Sequence, residues 1–150
     1  RGSQLLGIAP VGKVTYPGAQ SDANMADSVP LEPNHSHFVL VDSDEWGSET
    51  GTMFKLAGAL NVSVVTMLIN GGQIAGNEAL QSVRNGWPVL VIEGSGRFAD
   101  ELSAAVRNGQ SAKSTKVSEI ARSGRVRLFH VNDPAEKLRV ELHQILCCSE

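Results

Sequence analysis

Two short glycine-bearing strings offer the clearest chemistry in this sequence. Asn70-Gly71-Gly72-Gln73 follows the apolar run Val62–Ile69, and Glu93-Gly94-Ser95-Gly96-Arg97 follows the apolar run Val89–Ile92. A helical pattern comes after each. Glycine turns between strand and helix let backbone N–H groups approach a phosphate, while the helix N-terminus presents its positive dipole end. Arg97 adds a guanidinium that grips phosphate through two hydrogen bonds. Single turns of this kind also serve as ligand-free joints. Two in succession, the second with serine and arginine, favour a phosphate-bearing ligand. Neither is a Walker A loop, because no Gly-Lys-Ser/Thr follows, so ATP hydrolysis is not expected.

Other candidates are weaker. Glu78, six residues after Gly72, could face the pocket as a general base or ribose ligand, or simply be an exposed helical carboxylate. Asp100 falls in the first turn after Gly-Ser-Gly-Arg, where a helix N-terminal charge explains it. His35 and His37 flank Ser36, with Asp42 and Asp44 as the nearest further metal ligands. Without a third His or a Cys, no metal is expected, and the histidines should hydrogen-bond their own loop. Ser36 beside either His is not read as a nucleophilic pair, because neighbours in a strand point to opposite faces. Asp42-Ser43-Asp44-Glu45 is either a ribose contact or an acidic loop.

The elements that must position these residues alternate. Leu5–Ala9, Phe38–Val41, Val62–Ile69, Val89–Ile92 and Val126–Val131 are rich in Val, Ile or Leu and mostly continuous, as strands buried on both faces of a parallel sheet are. Helical patterns span Glu49–Leu60, Gln73–Asn85 and Phe98–Asn108, the last two stopped by Asn-Gly. Asp133 and Pro134 open a fourth, with Leu138, Leu142 and Leu146 as its stripe. The expected fold is α/β, a Rossmann-like three-layer arrangement around a mainly parallel sheet. Pro10–Ser36, with four prolines, is expected to be a long mobile loop. Arg107–Arg127 carries net +5 and is read as a solvated face, or else a partner or phosphate site.

Composition bounds the rest. The 150 residues (15.9 kDa, 41% hydrophobic, 19% charged) suit one domain over 1–150. A net charge of −3 argues against coating nucleic acid, and no run is long enough to span a bilayer. The 15 glycines, about 10% of the chain against ~7% on average, must be turns, linker or ligand loops. Cys147 and Cys148 are adjacent and give no disulfide framework, which fits a cytoplasmic, reducing location. They are read as an ordinary helix end.

Several strings occur together in a familiar order. They are Leu6-Gly7-Ile8-Ala9-Pro10, Leu31-Glu32-Pro33-Asn34-His35-Ser36-His37-Phe38, Gly71-Gly72, and Gly94-Ser95-Gly96-Arg97 with Asp100. This resembles the amino-terminal cytoplasmic homology region of melastatin-type transient receptor potential channels. The version it is most similar to is the prokaryotic one, within the SLOG superfamily of Rossmann-like folds. The resemblance runs from about Leu5 to Asn108. It implies a sensing domain for nucleotide derivatives, ADP-ribose-like above all, that signals to an effector. By that resemblance Gly71, Gly72 and Gln73 form one phosphate loop. Gly94, Ser95, Gly96 and Arg97 form the other, and Gly7, Ala9 and Pro10 border the ligand. No cofactor, nucleic acid or direct membrane contact is implied; a homo-oligomer or effector domain is.

Two alternatives stay open. The superfamily also holds lonely-guy phosphoribohydrolases, which cleave the N-glycosidic bond of nucleoside monophosphates. Their Pro-Gly-Gly-x-Gly-Thr-x-x-Glu motif is similar to Asn70–Glu78, with Ile74 and Ala75 replacing Gly-Thr. An enzyme of that kind would use Glu78 and Arg97. The third reading is an oligomerisation scaffold with a vestigial pocket. Family members also carry a further strand before the Gly-Ile-Ala-Pro strand, so the sheet is expected to lack its first strand within this chain.

Overall fold

The computed structural model describes residues 4–18, 27–109 and 114–147. These fall into two compact units, Arg1–Asn61 and Val62–Glu150. The expected α/β class holds: all strand pairing among the described residues is parallel, and helices alternate with strands.

In the first unit, β1 (Leu6–Pro10) pairs with β4 (His37–Val41), Leu6 opposite His37 and Pro10 opposite Val41. Between them a 3₁₀ turn, Val11–Lys13, leads into β2 (Val14–Thr15), which pairs with β3 (Val29–Pro30). The stretch Pro10–Ser36 is therefore not loop throughout, although residues 19–26 lie outside the described ones. Two-residue strands pinned by Leu31 N–H to the Thr15 carbonyl (3.0 Å) leave no periodic signal in the sequence. The helix α1 spans Thr50–Ala59.

The string His35-Ser36-His37-Phe38 is the joint of this unit. Ser36 Oγ donates to the Leu5 carbonyl (3.0 Å) and accepts from Leu5 N–H (3.2 Å). His37 Nδ1 lies 3.0 Å from the same oxygen. Contrary to the strand-alternation expectation, Ser36 and His37 do touch. The Ser36 hydroxyl donates to the Leu5 carbonyl, an arrangement in which Oγ is left to accept from His37 Nδ1. His35 Nδ1 contacts Glu32 Oε2 at 2.9 Å, as a loop-holding histidine should. Desolvation raises the Glu32 pKa, but hydrogen bonds from Asn34 and His35 outweigh it and hold the carboxyl below its usual range. Phe38 explains Gly7: a Cβ there would lie 2.6 Å from the ring.

The second unit contains β5 (Thr66–Ile69), α2 (Gln73–Arg84), β6 (Val89–Glu93), α3 (Arg97–Asn108), α4 (Thr115–Arg122), β7 (Val126–His130) and α5 (Ala135–Cys147). Its sheet runs β5-β6-β7. Side-chain alternation on central β6 divides the core. Val89 and Val91 pack with Leu68, Ala79, Leu102, Val117 and Ile120 under α2, α3 and α4. Leu90 and Ile92 pack with Phe129 and Ile145 under α5. This unit is three layers, helix–sheet–helix.

Three boundaries differ from expectation. The strand read as Val62–Ile69 begins only at Thr66, because its ladder starts where Thr66 N–H meets the Pro88 carbonyl (3.0 Å). Proline offers no N–H to extend pairing further. The basic run Arg107–Arg127 contains a helix, α4, whose Val117 and Ile120 are wholly buried. Only its outer face matches a solvated charge run. Asp133 closes the turn before α5 by accepting from His130 N–H (3.2 Å) and Lys137 Nζ (2.6 Å). Cys147 ends α5 as a free, exposed thiol; Cys148 lies outside the described residues.

At the end of β6, Arg107 donates to both oxygens of Glu93 at 2.6 and 2.5 Å. Those bonds hold the Glu93 carboxyl below its usual range despite the opposing push of partial burial. A depressed folded-state pKa contributes stability above the unfolded value and loses it as pH falls through the folded value. Thermal melts between pH 5 and 3 should therefore show a smaller acid-induced drop in Arg107→Gln than in the parent chain. Equal drops would remove this pair from the acid response.

Candidate functional site

In the second unit the two glycine turns lie against each other. Both leave the carboxyl ends of neighbouring parallel strands, where ligands of open α/β sheets bind. Asn70 N–H donates to Ser95 Oγ (2.8 Å), and the Asn70 carbonyl accepts from Ala99 N–H (2.9 Å). The Gly71 carbonyl accepts from Phe98 N–H at 3.4 Å. The Phe98 ring then covers buried Gly76, where a Cβ would stand 2.9 Å from ring carbons. Gly76→Val should cost about 1–3 kcal/mol through overpacking. Phe98→Ala in the same chain should recover part of that cost in urea unfolding, whereas strict additivity of the two changes would refute the contact.

The backbone here is unusual. Asn70 (φ 55°) and Arg97 (φ 45°) are two of only three non-glycine residues with positive φ among the described residues. Gly71, Gly94 and Gly96 share the left-handed region, at 84°, 84° and 102°. Such conformations cost of order 1–3 kcal/mol at a non-glycine residue, and they cluster at ligand sites. A Cβ on Gly72 would lie 2.9 Å from Arg97 Nη2, so the guanidinium sits over the Gly72 backbone. Among the described residues Arg97 has no carboxylate partner.

The two helix entrances are not equivalent. At α3 the Phe98 and Ala99 amides already serve the preceding turn, and Asp100 Oδ1 accepts from Gly94 N–H at 2.7 Å. Ser95 Oγ is also engaged, accepting from Asn70 and donating to the Ile92 carbonyl (2.6 Å). It has one lone pair left and no proton to give a phosphate. At α2 no acidic residue occupies the first turn, and the first helix bond is Gly76 N–H to the Gly72 carbonyl (2.9 Å). The amides before Gly76 therefore have no partner inside the helix.

Lys116 is a site residue that spacing along the chain did not single out. From α4 its ammonium donates to Gln73 Oε1 (3.2 Å) and Asn77 Oδ1 (2.5 Å), beside the first turns of α2. Both partners are neutral amides, so its charge is not neutralised by them. A gap of about forty residues and an intervening helix hid this approach from sequence reading.

The remaining candidates are placed as follows. Glu78 is half-buried on α2, its carbonyl accepting from Ser82 Oγ (2.9 Å). Gly7, Ala9 and Pro10 lie on β1 of the first unit. Asp42–Glu45 forms a turn there, in which Gly12 N–H donates to the Ser43 carbonyl (2.9 Å) and Glu45 N–H to Ser43 Oγ (3.2 Å). No group of three or more His, Cys, Asp or Glu that could hold a metal occurs among the described residues. No helix among them is long and apolar enough to cross a membrane. The first unit also bears a groove of about 780 Å³, lined by Tyr16, Pro30, Leu31, Glu32, Pro33 and Phe38 among others.

Parallel strands, helices on both faces of the second unit's sheet, and glycine turns at the strand ends define an α/β domain of the Rossmann-like type. A family model described as the SLOG domain in TRPM, prokaryotic form, matches residues 2–139, and the chain belongs to that family. The match continues past Asn108, where the recognisable strings end, through α4 and β7 into α5. The transient receptor potential cation channel subfamily M member 2 of Mus musculus is 31% identical over 88 aligned residues, covering 49% of this chain. The member-like 2 protein of Nematostella vectensis is 32% identical over 92, covering 50%. The matched region spans 6% of the length of each of these relatives.

Proposed function

We propose that this chain is a ligand-sensing domain that binds a phosphorylated nucleoside derivative of the ADP-ribose class and reports occupancy to an effector. One observation carries the reading. Two adjacent strand-to-helix turns hold Asn70, Gly71, Gly94, Gly96 and Arg97 in left-handed conformations, with a guanidinium that has no carboxylate partner among the described residues over the Gly72 backbone. That arrangement spends conformational energy to aim donors at one place. The free amides at the start of α2, with Arg97 above and Lys116 alongside, supply positive potential for a phosphate. Gly71, Gly72, Gln73, Gly96 and Arg97 are the direct ligand groups in this account. Gly94 and Ser95 hold the second turn in shape.

Membership of the family supports the reading, because similar chains include regions of cation channels, where a sensing domain has something to signal to. A cytoplasmic setting and assembly with a second copy or an effector belong to the same proposal. Calorimetric titration with ADP-ribose, AMP, ribose 5-phosphate and adenosine tests it. Saturable heat with ADP-ribose, weaker heat with the monophosphates and none with adenosine is the expected ranking. Equal binding of adenosine and ADP-ribose would remove the phosphate from the account. Free adenine released from AMP would point instead to the hydrolase.

A further inference from the structure

A second cationic feature lies at the opposite end of the same sheet. Val83, Arg84, Glu119, Arg122, Ser123 and Arg125 line a recess of about 420 Å³. Arg84 closes α2, Arg122 closes α4, and Arg125 stands directly before β7. Val89 pairs with Val126, and Val89 N–H donates to the Arg125 carbonyl (2.9 Å), so the recess sits where β6 and β7 begin. The Gly94 turn lies beyond their far ends, roughly 15 Å along the strands at ~3.3 Å per residue.

Two of the three arginines have an ordinary explanation, since basic side chains in a last helical turn complement the dipole. Arg125 is on no helix. Arg84 is paired with Glu119, Nε to Oε1 at 2.7 Å and Nη2 to Oε2 at 2.9 Å, so the one carboxylate lining the recess is matched by one of its three arginines. Arg122 and Arg125 have no carboxylate partner among the described residues. Two uncompensated guanidiniums thus share one recess on a chain of net charge −3. The turn carrying them is braced: Ser123 Oγ accepts from Arg125 N–H (3.2 Å) and donates to the Ile120 carbonyl (2.7 Å). The backbone of Arg125 is anchored on both sides while its side chain is exposed.

We propose that this recess is a second anion site, which takes the phosphate group of a small molecule between the forks of Arg122 and Arg125. Guanidinium geometry favours a tetrahedral oxyanion held bidentately over a monovalent ion. Bare phosphate and a nucleoside 5′-monophosphate present the same group and are separate arms of the test. Amide resonances of Gly86, Gly124 and Arg125 are followed while each is titrated into the whole chain at constant ionic strength. Saturable shifts are expected, with apparent affinity weakened about tenfold or more in Arg122→Gln/Arg125→Gln and unchanged in Arg97→Ala. Tighter binding of the ester would assign the source to a nucleotide, and equal binding to free phosphate. Shifts that grow linearly without saturating, or that survive in the double variant, would overturn the proposal. Both arginines are exposed, so neither substitution empties a core position. Failure at the glycine turns shows up separately, in the Gly71 and Gly72 amides.

Discussion

Leu102→Ala is expected to destabilise the chain by about 2–5 kcal/mol, enough to unfold a marginal domain. Leu102 is fully buried on α3, in the cluster that joins α3 to β6, α2 and α4. Its truncation removes apolar contacts and leaves a cavity that three helices and a central strand must share. Partial collapse sets where in the range the value falls. Urea unfolding followed by far-ultraviolet circular dichroism reads it as a lowered midpoint at unchanged slope. The exposed Leu60→Ala, by comparison, should fall within about 0.5 kcal/mol of the parent. A Leu102→Ala chain as stable as the parent would mean that α3 does not pack on β6 as described.

Arg97→Ala should weaken binding of ADP-ribose by about ten- to a hundredfold, since a hydrogen bond to a charged group contributes roughly 1.5–3 kcal/mol. Arg97→Gly separates binding from folding. A left-handed residue other than glycine costs about 1–2 kcal/mol, and glycine removes that cost while adding back some chain entropy. The Gly variant should therefore lose binding while staying within about 1 kcal/mol of parent stability. If the strain at Arg97 serves a ligand, these two readouts part company. A variant that keeps full affinity would show that the guanidinium is not on the phosphate.

Much of this architecture is written locally in the chain. The continuous runs Val89–Ile92 and Val126–Val131 announce buried parallel strands, and Asn85-Gly86 and Asn108-Gly109 stop helices where the structure stops them. The two glycine turns are legible as pieces. What spacing along the chain does not reveal is their division of labour. Ser95 reads as a phosphate ligand, and its hydroxyl also bridges Ile92 to Asn70, a partner 25 residues away that only the folded chain supplies. Lys116 reads as one more charge in a basic stretch. Its place beside Gln73 depends on α4, whose two buried side chains give too little periodicity to predict. Ser36 is hidden similarly, since its carbonyl partner lies 31 residues earlier. In the family strings around His35 and Gly7, a ring packs against a glycine and a hydroxyl joins two strands.

In the proposed mode of binding, phosphate is held at the start of α2 beneath Arg97. Backbone amide resonances of the ¹⁵N-labelled chain, followed through a titration with ADP-ribose, test it most directly. Saturable shifts centred on Gly71, Gly72, Gln73 and Gly96 are expected, with a matching loss of affinity in Arg97→Ala. Saturating ADP-ribose that leaves those four amides unmoved would contradict it.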